Sequence, residues 1–317
     1  MVASLRAFLD GLMDYAGLFP PARLDLDPAL RNYARYRAGR DAWMLGRFIV
    51  PVARLGELDA YADLFEEAPP FRFSILLRAA DDPFKAWPDD VTAARTFEHQ
   101  HGGRAVADRF EGKISAAIAQ DRAALEDLLG TMNEHLDASA GGEGPRIYCE
   151  VDLTGGLKGI ERVAEAVAAR NAEAGRPVAG LKFRCGGETP EAFPSPDALA
   201  HALVLARDAS APFKATAGLH HPFPRLDPET GATMHGFVNV FGSALLAHAR
   251  HLSAAELRPI LEDPGSRRFT FDADGFAWNG YGANTPEVAD ARAAFATSYG
   301  TCSFDEPRDD LRALGWL

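Results

Sequence analysis

The sequence predicts an α/β fold, a (β/α)8 barrel of the TIM type with N- and C-terminal extensions. Short apolar segments alternate with longer segments of helical periodicity, which is typical of βαβ units around a parallel sheet. No glycine-rich phosphate-binding motif follows an apolar segment, which argues against a doubly wound dinucleotide-binding sheet. A chain of 317 residues suffices for one barrel, so we expect residues 1–317 to form a single barrel domain.

Seven segments have the length and composition of barrel strands. In chain order they are residues 43–51, 71–79, 113–120, 146–153, 178–185, 212–218 and 236–242. An eighth strand is expected either within residues 14–21 or at residues 269–276. Residues from about 253 to 317 are expected to form a C-terminal extension packed on the barrel. The sequence assigns no role to residues 1–40.

Several of the predicted helices carry recognisable end signals. Ser195 followed by Pro196 predicts the start of one helix, because serine caps a helix and proline suits its first turn. Ser253 and Glu256 have the spacing of a capping box and predict the start of another. Gly175 follows a helical segment and is expected to end it.

The composition argues against several classes of protein. The formal net charge is −12, whereas nucleic-acid binding needs a basic surface. No run of about 18 apolar residues occurs, so we expect no membrane span, and the first residues lack the apolar core of a signal peptide. Three widely spaced cysteines indicate neither a disulfide framework nor a zinc ribbon. We expect a cytoplasmic protein, and the sequence leaves open whether its copies form a homo-oligomer.

Charged and polar residues occupy the inward-facing positions of four consecutive predicted strands. Because side chains alternate along a strand, the apolar residues should face the helices and the polar residues the barrel interior. The inward set is Glu150, Asp152, Lys182, Arg184, Lys214, Thr216 and Asn239. Barrel interiors normally contain Val, Ile and Leu, and buried charges are costly unless paired. A structural salt-bridge network is one explanation, and an active site at the carboxyl ends of the strands is the interpretation that we favour.

Lys182 and Lys214 are expected to lie at similar depth on adjacent strands. Two ammonium groups at short distance cannot both stay charged without cost, so we expect the pKa of one lysine to fall. A neutral lysine beside a second cation is a nucleophile suited to forming a Schiff base with a carbonyl compound. Glu150 or Asp152 would then move protons to and from the reacting carbon.

The two lysine segments resemble those of a known family. KFRCG at residues 182–186 and PFKATAG at residues 212–218 are similar to the two lysine strands of class I deoxyribose-phosphate aldolases. In that family the first strand carries the Schiff-base lysine and the next carries a lysine that tunes it. The resemblance covers about residues 146–247. It implies a lyase of the aldolase type, acting without a cofactor on a small carbonyl or phosphorylated metabolite, and the sequence leaves open which lysine is the nucleophile.

The resemblance also suggests where a substrate would bind. Residues 237–247 resemble the family's last strand, which turns into a helix around a phosphate, so the backbone N–H groups of residues 242–244 would meet that anion. The predicted strand at residues 113–120 contains no acid to match the family's catalytic aspartate. The expected substrate-binding residues are Arg184, Thr216, His220, His221, Asn239, Gly242 and Ser243.

Two other functions remain open at this stage. His220 and His221 follow the Lys214 strand directly, in a loop at the carboxyl ends of the strands. With Glu150 as an acidic ligand they would hold a divalent metal such as zinc, which would make the protein a metal-dependent lyase, isomerase or hydrolase. The other alternative is a non-catalytic barrel that binds a small anionic metabolite at the same residues.

Overall fold

Eight parallel strands close into a barrel in the computed structural model of the chain, which describes residues 1–66, 69–136, 144–154 and 156–317. In chain-order labels they are β1 (Met13–Tyr15), β2 (Leu45–Pro51), β3 (Phe71–Leu76), β4 (Ala105–Lys113), β5 (Arg146–Val151), β6 (Ala179–Arg184), β7 (Phe213–Thr216) and β13 (Ala296–Thr301). The strands follow this order around the barrel, and β13 closes it by pairing with both β7 and β1. The predicted (β/α)8 barrel is confirmed.

The remaining strands form two small antiparallel sheets. One contains β8 (Arg225–Leu226) and β9 (Thr233–Met234), and the other contains β10 (Phe269–Phe271), β11 (Gly275–Trp278) and β12 (Tyr281–Asn284). The α-helices are α1 (Ala3–Leu9), α2 (Leu26–Arg37), α3 (Pro83–Gln100), α4 (Ala116–Gln120), α5 (Arg122–Leu136), α6 (Leu157–Ala174), α7 (Pro196–Asp208), α8 (Phe237–Arg250), α9 (Ala254–Leu261), α10 (Thr285–Ala294) and α11 (Asp305–Ala313). Short 3-10 helices span Ala42–Met44, Val52–Phe65, Pro190–Ala192 and Ser266–Arg268. No helix in the described part of the chain is long and apolar enough to cross a membrane.

Five of the seven predicted strands contain barrel strands, and two predictions are wrong. Residues 113–120 begin at the last residue of β4, and Ser115 then starts α4 by accepting a hydrogen bond from the backbone N–H of Ile118. Residues 236–242 are not a strand, because α8 begins at residue 237. Every residue from 237 to 247 is buried, so this segment has no polar face whose spacing would indicate a helix.

The strand that closes the barrel lies in the predicted C-terminal extension. Residues 253–317 are therefore not only a layer packed on the barrel, since they contain β13. Of the two segments considered for the missing strand, residues 14–21 include most of β1, whereas residues 269–276 belong to a small antiparallel sheet. The sequence of β13 is ATSYGT, in which small and hydroxyl-bearing residues leave no apolar run to recognise.

The predicted helix ends are confirmed. Ser195 caps α7 by accepting a hydrogen bond from the backbone N–H of Ala198. Ser253 and Glu256 form the expected capping box at the start of α9. Gly175 ends α6 in a left-handed conformation with φ of 64°, which glycine adopts without the steric cost that a Cβ would bring.

The apolar core lies between the strands and the helices that surround them. Outward-facing residues of the barrel strands, such as Phe73, Phe110, Leu181 and Phe213, have no exposed surface. Burial of a side chain of this size stabilises the fold by about 1.5–3 kcal/mol. Because the outward positions hold the apolar residues, the inward positions are left for the polar groups of the barrel interior.

Asn239→Ala is expected to destabilise the fold. The side-chain amide of Asn239 donates to the backbone carbonyls of Ile260 at 2.6 Å and Asp263 at 2.8 Å, which ties α8 to the end of α9. Each buried acceptor that loses its partner costs about 1–3 kcal/mol, so the free energy of unfolding should fall by about 2–5 kcal/mol. Urea denaturation measures this change, and an unaltered unfolding midpoint would show that the amide is not structural.

Candidate active site

Three polar side chains lie side by side on neighbouring strands in the barrel interior. Glu150 on β5 is the register partner of Lys182 on β6, which is the register partner of Lys214 on β7. The alternation that turns Cys149 and Leu181 outward turns these three side chains inward. All three are buried, and the predicted placement of the two lysines on adjacent strands is confirmed.

Glu111 on β4 joins the two lysines. Its Oε1 lies 2.5 Å from Nζ of Lys214, and its Oε2 lies 2.9 Å from Nζ of Lys182. Ser74 on β3 donates a hydrogen bond of 2.5 Å to the same Oε1. Glu150 is the second partner of Lys182, with its Oε2 2.8 Å from Nζ. Lys182 is therefore held between two carboxylates.

Lys214 also lies between two carboxylates, because Asp14 on β1 is its second partner beside Glu111. Oδ2 of Asp14 lies 2.8 Å from Nζ of Lys214 and accepts a hydrogen bond of 2.8 Å from Oγ of Ser298 on β13. Its Oδ1 accepts a hydrogen bond of 2.7 Å from the backbone N–H of Arg47. Charges of opposite sign thus alternate across the interior in a lysine–carboxylate chain, which comprises Asp14, Lys214, Glu111, Lys182 and Glu150.

The alternation of charge keeps Glu111 and Lys214 ionised. Burial alone would raise the pKa of Glu111, but the ammonium groups of Lys182 and Lys214 hold it well below its usual range. Burial alone would lower the pKa of Lys214, but the carboxylates of Asp14 and Glu111 raise it above its usual range. The expected fall in a lysine pKa therefore does not occur at Lys214, because carboxylates are the charges nearest to it.

A cavity of about 1180 Å³ opens at the carboxyl ends of the barrel strands. Glu111, Glu150 and Lys182 line this cavity, whereas Lys214 does not and its side chain is 0% exposed. Of the two paired lysines, Lys182 alone faces space in which a small molecule can bind. The carboxyl ends of the strands are also where enzymes with this fold bind their substrates.

Four of the predicted substrate-binding residues line the same cavity, namely Arg184, Thr216, His220 and His221. The guanidinium of Arg184 is about half exposed and its Nε donates to Oε1 of Glu150 at 3.2 Å. It therefore extends the alternation of charge from the interior towards the cavity mouth.

The other predicted site residues lie elsewhere. Asp152 lies beyond the end of β5, where it is exposed and accepts hydrogen bonds from the backbone and hydroxyl of Thr154. Asn239, Gly242 and Ser243 are buried within α8 and do not line the cavity. The predicted phosphate-binding turn is wrong, because backbone N–H groups in the middle of a helix are already bonded to the preceding turn.

His220 and His221 contact acidic side chains of α11. Nδ1 of His220 lies 3.5 Å from Oε2 of Glu306 and 3.7 Å from Sγ of Cys302. Nδ1 of His221 lies 2.7 Å from Oδ2 of Asp310. These contacts fasten the loop that follows β7 to the last helix of the chain, along one wall of the cavity.

The alternative metal site is not formed. In the ranges that the structure describes, no group of three or more His, Cys, Asp or Glu side chains is arranged to hold a metal ion. His220, His221 and Glu150 are therefore not brought together as ligands. Glu150 is occupied instead by Lys182 and Arg184.

Glu111 and Asp14 are site residues that the sequence pattern does not reveal. Glu111 was missed because β4 was assigned too far along the chain, and because the pairing register of β4 shifts at Asp108. That irregularity breaks the alternation of apolar and polar residues from which the inward face is recognised. Asp14 lies in a strand of three residues, which is too short to show any period.

The fold resembles that of a solved structure of a proposed aldolase. The structure of a proposed deoxyribose-phosphate aldolase from Toxoplasma gondii ME49 matches with a TM-score of 0.52 and 12% sequence identity, over 98% of this chain and 96% of that chain. An apo form of a proposed deoxyribose-phosphate aldolase from the same organism gives a TM-score of 0.40 at 12% identity, over 98% and 97%. No protein-family profile and no curated protein sequence matches the chain. At this identity the likeness shows the fold alone.

Glu111→Gln is expected to lower stability strongly. It leaves two buried ammonium groups without the carboxylate between them, and removing one partner of a buried ion pair costs about 3–5 kcal/mol. Urea denaturation measures the loss. Because Glu111 contacts Lys214, the double variant Glu111→Gln/Lys214→Met should lose less than the sum of the two single losses. Additive losses would contradict a direct interaction.

The stability of the protein should depend on the charge of His220 at alkaline pH. Burial alone would lower the pKa of His220, but Cys302 and Glu306 raise it to about 10. The unfolded value is about 6.5. Because the folded pKa is the higher one, the stabilisation is fully present below about pH 6.5 and is lost as the pH rises through about 10.

The free energy of unfolding should therefore fall more steeply between pH 7 and pH 10 in the wild type than in His220→Gln. Urea denaturation at several pH values measures both slopes. Equal slopes in the two proteins would refute a stabilising charge on this histidine.

Proposed function

We propose that this chain is a lyase of the aldolase type that forms a Schiff base between Lys182 and a small carbonyl compound. The observation that carries the proposal is that Lys182 lines the cavity while Lys214 is fully buried. A nucleophile must be reached by its substrate, which favours Lys182. The aldolase-like barrel of the structural neighbour supports the same class of reaction at the level of the fold. This route requires no cofactor.

The reaction begins with the removal of a proton from Lys182. Oε2 of Glu150 lies 2.8 Å from Nζ and can accept that proton, whereas Oε2 of Glu111, 2.9 Å from Nζ, stays ionised and directs the amine. The neutral amine adds to the carbonyl carbon, and loss of water gives a protonated imine. In this step one C=O bond is replaced by one C=N bond.

The protonated imine then accepts the electron pair of a nearby C–C bond. A carboxylate removes the proton of the substrate hydroxyl, an aldehyde leaves, and the remaining fragment becomes an enamine. Return of the proton to carbon and hydrolysis of the imine release the second product and restore the amine. We assign the proton transfers to Glu150, because it is more exposed to the cavity than Glu111, 8% against 2%.

Lys214 acts in this proposal as a positioning residue. It holds Oε1 of Glu111 at 2.5 Å and is itself held by Asp14 at 2.8 Å. Its positive charge stabilises Glu111 as a carboxylate throughout the cycle, since that carboxylate lies between two ammonium groups. Glu111 can then keep Lys182 directed at the substrate.

The cavity mouth favours a substrate that carries an anionic group. Lys113 and Arg225 line it, are exposed, and form no ion pair within the described ranges. A phosphate or carboxylate on the substrate would supply the opposite charge. This supports a small carbonyl compound, phosphorylated or otherwise acidic, as the substrate class.

Trapping of the imine tests the proposal. The protein is incubated with acetaldehyde or another small aldehyde, reduced with borohydride, and analysed by peptide mass spectrometry. We expect one reduced adduct per chain, on Lys182, and no adduct above background in Lys182→Met. Lys113→Met is the matched control, because Lys113 lines the same cavity and forms no ion pair with a carboxylate in the described ranges.

Two results would overturn the assignment of Lys182. One is the absence of an adduct from the wild-type protein with every aldehyde tried. The other is an adduct that persists in Lys182→Met and disappears in Lys113→Met, which would move the nucleophile to the cavity mouth.

A further inference from the structure

A second cavity, of about 1550 Å³, opens at the amino-terminal ends of the barrel strands, opposite the cavity that Lys182 lines. Its wall includes the first residues of β2, β3, β4 and β5, and Thr297 and Ser298 of β13. Among its described lining residues, eight are arginines and three are aspartate or glutamate. We call it the arginine cavity. This excess of positive charge stands out in a chain whose net charge is −12.

The carboxylate of Asp108 contacts several guanidinium groups in the arginine cavity. Oδ1 of Asp108 accepts from Nε of Arg47 at 2.5 Å, and its Oδ2 accepts from Nε of Arg72 at 3.0 Å. Arg109 is also close, with Nη1 3.8 Å from Oδ2. Burial would raise the pKa of Asp108, but Arg47 and Arg109 hold it well below its usual range. Asp108 is thus shared by at least two guanidinium groups that donate to it.

Within the described residues, only uncharged oxygen atoms accept hydrogen bonds from Arg146. It is 3% exposed, its Nε donates to the carbonyl of Pro177 at 3.0 Å, and its Nη1 donates to the hydroxyl of Tyr148 at 3.1 Å. It is also the register partner of Arg109 on the neighbouring strand, so two guanidinium groups start from adjacent positions.

Arg292 is in the same situation on the other side of the arginine cavity. It is 8% exposed and donates to the carbonyls of Phe8 at 2.8 Å, Thr297 at 2.7 Å and Asp10 at 2.9 Å. Neither Arg146 nor Arg292 forms an ion pair with a described carboxylate. Buried cations without an opposite charge are costly, so an anion that enters the arginine cavity would be stabilised.

We propose that the arginine cavity is a binding site for a small anion of the phosphate class that carries at least two negative charges. Guanidinium groups match such oxyanions because each offers two parallel N–H donors. The site lies at the opposite end of the barrel from Lys182, so it is separate from the proposed catalytic cavity and does not depend on the proposed function.

Arg72 and Arg78 provide a matched pair of variants to test the proposal. Arg72 lies within β3 and Arg78 lies just beyond its end. Both side chains are about half exposed, and each pairs with one aspartate, Asp108 or Asp90. Arg72 lines the arginine cavity, whereas Arg78 does not. Replacement of either by glutamine should therefore disturb the fold to a similar extent, and only Arg72→Gln should disturb the site.

Binding of inorganic pyrophosphate to the full chain is measured by isothermal titration calorimetry at low ionic strength. We expect a site that survives in Arg78→Gln and in Arg184→Gln, the latter altering the other cavity. We expect Arg72→Gln to weaken this binding about tenfold, the loss of one charge-assisted hydrogen bond. Citrate should bind less tightly than pyrophosphate.

Three outcomes would overturn the proposal. They are the absence of pyrophosphate binding to the wild type, equal binding to Arg72→Gln and Arg78→Gln, and loss of binding in Arg184→Gln alone. Arg146→Gln is measured in parallel, with its fold checked by circular dichroism. Unchanged affinity in a folded Arg146→Gln protein would contradict a site in the arginine cavity.

Discussion

The carboxylate of Glu111, between the ammonium groups of Lys182 and Lys214, is the interaction on which the rest of the site depends. Without it, two cations on adjacent strands would face each other in a buried interior, and their repulsion would move a side chain or remove a proton. With it, charges alternate in sign from Asp14 to Glu150 and each is compensated by its neighbours. The barrel can therefore hold charged groups where Val, Ile and Leu usually lie.

The same alternation gives the two lysines different surroundings. Lys214 is enclosed and fixed in position, whereas Lys182 borders a cavity at the carboxyl ends of the strands. At the other end of the barrel, arginines predominate among the described residues that line the arginine cavity. Tyr148 lies between the arginine cavity and the lysine–carboxylate chain. Its hydroxyl accepts a hydrogen bond from Arg146, and its ring centre lies 5.8 Å from Nζ of Lys214.

Much of the fold and half of the site follow from the sequence. In β5 and β6 the alternation is regular, so Glu150, Lys182 and Arg184 could be assigned to the interior before the structure was known. Glu111 could not be assigned in this way, because the register of β4 shifts at Asp108, three residues before it, and the alternation is interrupted there. The helix α8 was taken for a strand because it is buried on every side, and β13 was missed because its inward residues are small. The sequence therefore indicates which residues face inward in regular strands. It does not indicate this for irregular strands, and it does not distinguish a fully buried helix from a strand.

The charge of Lys214 in the folded protein is the most direct test of this account. The chain contains five lysines, so their Cε resonances can be assigned in ¹³C-labelled protein by single replacements and followed against pH by NMR. The account predicts that Lys214 retains the chemical shift of an ammonium group at pH values well above about 10.4, the usual lysine pKa. Titration of Lys214 at or below about pH 10.4 would contradict it.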